Sequence, residues 1–418
     1  MQIRERERLN QDVPELVIRN ARIFTANEDD EQGGIIEGGY LSVSNGRIDS
    51  IGKGGGPTRA RRVIDADCSN LFPGFVDCHT HLLEFAPEAI YHAFGKSQEL
   101  AISAFALQAM STGVTSIGEH NLGHPVIREY PSFYDMVAKQ LPLNVKIARG
   151  LAVIGTDPMA VVSPIYPGRT LTLEDINDEM ITAIARLSEF PGENLFLTAT
   201  VANLPADKAP LSGKVILEGE RLAQAIHLFH AAASRVGAHI EGSESMQLFA
   251  DAGGDVIHHA HGLDEKAIDR ISSRKTNLVM TPAAGTGIAP SSPEEVWSAY
   301  SHGVEVSLAT DCCIPLHPGA SWVDLPPGSW IQPEQFLKVI SPAFKRLQRG
   351  GVKLGSMLKL ITSNPAKIMG IEKEAGTIAV GKRADIVIAK GFPALDFETV
   401  DHITHVIKDG QLQVARQV

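Results

Sequence analysis

Leu71-Phe-Pro-Gly-Phe-Val-Asp-Cys-His-Thr-His81 decides how the rest of the chain is read. Phe75 and Val76 favour an extended, buried backbone, and Pro73-Gly74 marks the turn that enters it. Side chains alternate along a strand, so His79 and His81 point one way and Thr80 the other. Two imidazoles on one side at a strand end can grip one metal ion. The competing reading is a pair of surface histidines in a loop, and the other strands must decide between the two.

Working outward, apolar strand-like runs alternate with helical stretches from Leu71 onward. The strands read as Val114–His120, Val145–Ile154, Leu195–Val201, Gly237–Glu241, Asp255–Ala260, Asn277–Thr281 and Glu305–Asp311, after the first at Leu71–His81. Helical patterns follow each, including Gln98–Ser111, Leu173–Phe190, Glu220–Val236 and Pro333–Arg349. Eight strand–helix units predict an α/β fold, a (β/α)8 TIM-like barrel over residues 73–364. Short β-like runs flank it: Leu16–Ile18, Ala21–Phe24, Tyr40–Val43 and Arg47–Ile51 before, and Gly376–Ile378, Ala384–Ala389 and His402–Gly410 after. They predict a small β-sandwich domain built from both termini, residues 1–72 and 365–418. Residues 1–13 read as frayed. Gly52-Lys-Gly-Gly-Gly-Pro57 lacks the spacing and following helix of a phosphate loop and reads as a hairpin connection.

Composition narrows the function classes. A chain of 418 residues that is 44% hydrophobic can bury a large core. Its net charge of -11 is spread along the sequence, which argues against a nucleic-acid footprint. No window is long and apolar enough for a membrane span, and the charged start lacks a signal-peptide core. Four cysteines suit a reducing compartment, so a cytoplasmic location is expected; the vicinal Cys312-Cys313 reads as packing.

The strand ends concentrate the chemistry. Histidine accounts for only 15 residues, yet His79 and His81 end strand one, His239 lies on strand five, His258-His259 on strand six, and Asp311 ends strand eight. Barrel active sites sit at such ends. His258 and His259 face opposite sides by alternation; with His259 inward, His258 contacts the helical layer. Glu241 shares a face with His239, and Ser307 and Ala309 share one with Asp311.

Pro73–His81, Asp255-Val-Ile-His-His-Ala-His-Gly262, Ala309-Thr-Asp311, Thr362-Ser-Asn-Pro-Ala-Lys-Ile-Met-Gly370 and the tail Gly376–Ile388 resemble the amidohydrolase superfamily of metal-dependent hydrolases. The likeness runs from about Leu16 to Gly410 and is nearest to the imidazolonepropionase-like and prolidase-like branches. It implies His79, His81, His239 and Asp311 as metal ligands, with zinc the default ion. It implies Asp311 as the acceptor of the water's proton, and His259 as donor to the developing oxyanion or as a second-site ligand.

Two departures qualify that likeness. Binuclear relatives carry a carboxylated lysine at the end of strand four, where this chain reads Leu195-Phe-Leu-Thr-Ala-Thr-Val-Ala-Asn. One bound ion is therefore expected, a second remaining possible with Glu119 as a substitute bridge; Lys146 reads as a strand-three edge residue. Mononuclear deaminases and imidazolonepropionase-like enzymes place a glutamate three residues after the strand-five histidine, where this chain has Gly242; Glu241 is the candidate proton shuttle instead. The expected function is hydrolysis of a C–N bond in a small amide or cyclic amide. The alternatives are a heterocycle aminohydrolase, a binuclear prolidase-like dipeptidase and a non-catalytic scaffold. The expected partner is a small-molecule substrate, with neither nucleic acid nor membrane, and a homo-oligomer is plausible by resemblance. The pocket wall is expected from loops 82–94, 121–128, 155–170, 202–214 and 312–330.

Overall fold

The computed structural model describes residues 13–27, 34–84, 96–123, 130–201, 204, 206–284, 290–326 and 328–417. The expected fraying of residues 1–13 falls almost wholly outside them. The chain opens with β1 (Leu16–Phe24), β2 (Ile35–Ser44), β3 (Arg47–Lys53), β4 (Arg62–Asp65) and β5 (Asn70–Pro73). It returns to the same sheet at its end with β16 (Ile386–Ala389), β17 (Ile403–Lys408) and β18 (Gln411–Ala415). The order is β18-β17-β16-β5-β1-β2-β3, with β4 paired to β1. β5 and β16 pair antiparallel, Leu71 opposite Ile388, so the two ends of the chain meet inside one eight-stranded sheet. Its apolar face gathers Ile18, Ile23, Leu41, Val43, Ile386 and Ile407 in a core of their own. Gly376–Ile378, expected as a strand, is irregular; Lys382 packs across it, its ammonium on the Thr377 hydroxyl and the Ala375 carbonyl.

Between these flanks run the parallel strands. β6 (Phe75–Thr80), β7 (Val114–Asn121) and β8 (Asn144–Arg149) form one sheet. After the short β9 (Ala152–Ile154) and β10 (Ala160–Val162), a second sheet holds β11 (Leu195–Phe196), β12 (Gly237–Glu241), β13 (Val256–His261), β14 (Asn277–Met280) and β15 (Val306–Leu308). These supply eight parallel strands in the order the alternation predicts. The strand expected over Val145–Ile154 breaks in two at Gly150-Leu151, and the one expected over Leu195–Val201 shrinks to two residues.

The second parallel sheet meets the first beyond β15, and the loop before β11 meets β8. Past β15, the amide of Asp311 donates to the His79 carbonyl (3.0 Å) and that of His81 to the Cys312 carbonyl (2.6 Å). Asp77 reinforces the seam: it accepts the Thr310 hydroxyl (2.6 Å) and amide (3.2 Å). From the loop before β11, Glu189 N donates to Ile147 O of β8, and the Asn194 side-chain amide donates to Arg149 O. Helices cover the strands because each buries one apolar stripe, as Met180, Ile181, Ile184 and Ala185 do in Asp178–Leu187. That helix starts at Asn177, whose side chain accepts the Met180 amide. The helix Pro293–Ser301 starts in a capping box between Ser292 and Glu295. The second oxygen of Glu295 accepts the amides of Gly262 and Leu263, so the cap also fixes the loop leaving β13. Among the described residues, no helix is long and apolar enough to cross a membrane.

Candidate metal centre

At the ends of the parallel strands, imidazoles and carboxylates gather around one buried glutamate. Glu193 lies in the turn Pro191-Gly192-Glu193 just before β11 and is 2% exposed. Its Oε1 is 2.6 Å from His239 Nδ1 and 2.7 Å from His259 Nε2. Its Oε2 is 3.4 Å from His120 Nδ1 and 3.7 Å from the Nε2 atoms of both His79 and His81. Asp311 Oδ1 approaches the same His79 and His81 nitrogens at 3.4 and 3.3 Å. One carboxylate thus turns each oxygen to a different set of rings.

The turn reaches this place because its neighbours yield space. A side chain on Gly150 would lie 1.9 Å from the Glu193 carbonyl, and one on Gly237 would lie 2.1 Å from that of Gly192. Asn194 pins the turn, its oxygen accepting the Gly237 amide (3.1 Å) while its nitrogen donates to Arg149 O and the Ser188 hydroxyl.

Of the residues expected at the site, the structure brings together His79, His81, His239, His259 and Asp311. Glu241 stands 3.6 Å from His239 Nε2. Two expectations need correction. His258 does not turn to the helical layer: its Nδ1 is 2.9 Å from His79 Nδ1 and its Nε2 donates to the Pro191 carbonyl (3.0 Å). The reason is local. His259 and Ala260 take positive φ of 72° and 55°, and the β12–β13 register slips by one residue there, so simple alternation ends. Glu119 is no bridge: its oxygens accept the Thr80 hydroxyl and the amides of Leu82, Leu83 and Glu84. His120, on its opposite side, enters the cluster in its stead. Lys146 is half-exposed and pairs with Glu189, as an edge residue should.

Glu193 is not legible in the sequence because it precedes its strand in a Pro-Gly turn, whereas the other site residues lie on the strands or at their far ends. His120 carried a readable signal, a third histidine at a strand end. Of the expected wall loops, residues 85–94, 124–128, 202, 203, 205 and 327 lie outside the described residues. Loop 312–330 is fastened over β14 by Trp322 Nε1 donating to Pro282 O (2.7 Å).

Burial pushes the Glu193 carboxyl up, but His79 and the hydrogen bonds from His120, His239 and His259 outweigh it and hold the group well below its ordinary range. Asp311 follows the same pattern, with burial outweighed by His79, His81 and His259. Burial works to lower His239, yet Glu193 and Glu241 raise it to about 9. His81 is likewise raised, Asp311 and Glu84 outweighing burial. Burial lowers His79 to about 3 and also lowers His120, His258 and His261.

The donor set fits a metal ion. His79, His81, His120 and Glu193 bring ligand atoms within 4.8 Å of one another, as do His79, His259 and Asp311, and Glu193, His239 and His259. The buried His79 Nε2 and Asp311 Oδ1 have no hydrogen-bond partner, an arrangement costly for protein atoms and suited to ligands.

The family model described as "Amidohydrolase family" matches residues 70–412. The chain belongs to that family. Its relatives include D-hydantoinase of Ralstonia pickettii, 23% identical with 90% of this chain and 86% of the relative covered. Imidazolonepropionase of Idiomarina loihiensis is 25% identical, with 86% and 88% covered. Among solved structures, molinate hydrolase superposes with a TM-score of 0.71 at 18% identity, covering 95% of this chain and 94% of the other, which indicates a shared fold.

Proposed function

We propose that this chain hydrolyses a C–N bond of a cyclic amide or small amide, at two ion positions that share Glu193. The observation that carries it is the division of that carboxylate, Oε1 toward His239 and His259 and Oε2 toward His79 and His81. The first position would be held by His79, His81 and Asp311, the second by His239 and His259. A lysine is missing from strand four, which alone led to an expectation of one ion; Glu193 offers a carboxylate of the same bridging kind. We also propose that the two parallel sheets close a (β/α)8 barrel over 73–364 through the Asp311–His79 and Glu189–Ile147 contacts, beside the domain of 1–72 and 365–418.

Zinc suits the mixed nitrogen and oxygen donors, and a bound divalent ion supplies Lewis acidity and a water ionised near neutral pH. The protein's own groups do the rest. Asp311, kept as a carboxylate, takes the proton of the attacking water and passes it to the leaving nitrogen. Thr281 donates its hydroxyl to Ala284 O (3.3 Å), so it accepts from His259 Nδ1 (3.0 Å) and leaves His259 Nε2 directed at Glu193. Glu241 steadies His239 from the opposite ring nitrogen.

The hydantoinase and imidazolonepropionase likenesses favour a cyclic amide. A matching adenine deaminase of Rhizobium meliloti, 21% identical with 56% of its length covered, keeps the aminohydrolase reading as the second choice. Elemental analysis of the purified protein is expected to give two ions per chain. Assays with hydantoins, imidazolones, Xaa-Pro dipeptides and aminopurines are expected to yield a new carboxylate from a cyclic amide. Ammonia release without a new carboxylate would establish the aminohydrolase reading instead, and one ion per chain would remove the shared position.

A further inference from the structure

His258, like His120, is an imidazole in contact with the cluster that the proposed reaction leaves without a task. Its side chain is fully buried. Its Nε2 lies 3.0 Å from the Pro191 carbonyl oxygen, and its Nδ1 lies 2.9 Å from His79 Nδ1. A carbonyl oxygen only accepts, so His258 Nε2 carries a proton. An imidazolium buried with no carboxylate on either nitrogen is costly, so the ring is neutral and its Nδ1 is an acceptor. Two facing nitrogens cannot both accept in a hydrogen bond. His79 Nδ1 therefore donates, and in the neutral ring, the only form that can ligate an ion, His79 Nε2 is left as the lone pair. That atom is the one aimed at Asp311 and Glu193.

We propose that His258 is the positioning residue that holds His79 in the single tautomer whose Nε2 can ligate an ion, through the ordered chain Pro191 O, His258, His79. This rests on the metal-binding reading above. A ligating histidine ordinarily gives its second N–H to a carboxylate, a carbonyl or water. Here the acceptor is another imidazole, oriented in turn by a carbonyl two residues before Glu193. The tautomer of a strand-one ligand is thereby tied to the turn that carries the shared carboxylate. A change in one is felt by the other without any direct bond between them.

Two substitutions split the two halves of His258. His258→Asn puts an amide oxygen where Nδ1 sits and keeps the acceptor for His79. His258→Gln puts an amide nitrogen where Nε2 sits and keeps the donor to Pro191. Affinity of the metal-free protein for Co2+, measured by chelator competition, is expected to fall about 10–100-fold in His258→Gln and clearly less in His258→Asn. A residue that merely braces Pro191 gives the reverse order, and either the reverse order or equal values overturns the proposal. A second measurement needs no variant of His258 and no metal. In metal-free protein labelled with 15N-histidine, long-range 1H–15N correlation, with His79 assigned by its loss in His79→Gln, is expected to show Nδ1–H. An Nε2–H pattern overturns the proposal. Failure of the metal reading is seen separately, as wild-type protein that takes up no Co2+ while His79 keeps its Nδ1–H.

Discussion

Strands β6 and β13 each end in a run of histidines and serve the same cluster, yet they present their rings by different means. At the end of β6, His79 and His81 leave a backbone without positive φ, with Thr80 between them turned to Glu119. Their Nε2 atoms fall 3.4 and 3.3 Å from the same Asp311 oxygen. At the end of β13, His259 and Ala260 are left-handed, and His258 and His259, adjacent in sequence, both reach the cluster. A left-handed non-glycine residue costs on the order of 1–3 kcal/mol and persists only where its surroundings over-determine it. Here Ser291 donates its hydroxyl to the His259 carbonyl at 2.6 Å, and Thr281 holds the ring. An extended strand end places alternate side chains cheaply; a strained one places neighbours together, at the expense of outside support.

The largest test removes what joins the two ends. Glu193→Ala is expected to reduce bound metal to one ion per chain or less and to lower the hydrolytic rate by more than about 100-fold, a loss beyond that of an outer-shell partner. Elemental analysis alongside kinetics reads both effects. Two ions retained with an undiminished rate would mean that the strand ends work independently.

Next comes the strained end itself. Ala260→Val puts a β-branched residue at φ 55° and is expected to lower stability by about 1–3 kcal/mol in denaturant unfolding. It should also weaken the ion position of His239 and His259 before that of His79 and His81. The matching change at the extended end is Thr80→Val. It deletes a hydroxyl that donates to Glu119 at 2.7 Å and is expected to cost about 1 kcal/mol with the metal content unchanged. Equal loss of metal in both variants would erase the distinction.

The same contrast explains what could be read from the sequence. Alternating strands and helices announced the eight parallel strands, and extended backbone made the His79–His81 pair legible residue by residue. His239 and Asp311 were legible as chemistry at strand ends. His258 was misassigned because alternation was applied across a step where the backbone turns left-handed, and no residue type there warns of it. Glycine would have been the usual marker, but positions 259 and 260 are His and Ala. Glu193 was invisible for another reason: its placement depends on the close approach that Gly150 and Gly237 allow, a contact between segments distant in sequence.

The smallest expected effect separates the two ends by what braces them. β6 is braced by titrating groups: burial raises Glu119 to about 8, against the opposing pull of His81 and Thr80, and Asp77 to about 7, against Thr310. The braces of the β13 end, Ser291 and Thr281, do not ionise. Glu119 and Asp77 keep a proton in the folded chain where the unfolded chain has already lost it. The folded state therefore binds more protons up to about pH 7–8, and stability falls as pH rises through that window. His239 adds to the fall: its stabilisation is complete below its ordinary value of 6.5 and is lost as pH rises through about 9. Glu193 and Asp311 are shifted downward, so their contribution is lost only on acidification; His79, His120, His258 and His261, lowered by burial, oppose the trend mainly below their ordinary value of 6.5 and little between pH 7 and 9. The metal-free protein is thus expected to melt a few degrees lower at pH 9 than at pH 7, read by thermal unfolding in chelator. Glu119→Gln keeps an acceptor oxygen but cannot ionise, so it should flatten part of that decline, whereas Ala260→Val should shift the whole curve down without changing its slope. A decline that Glu119→Gln leaves untouched would place the titrating support elsewhere than at the β6 end.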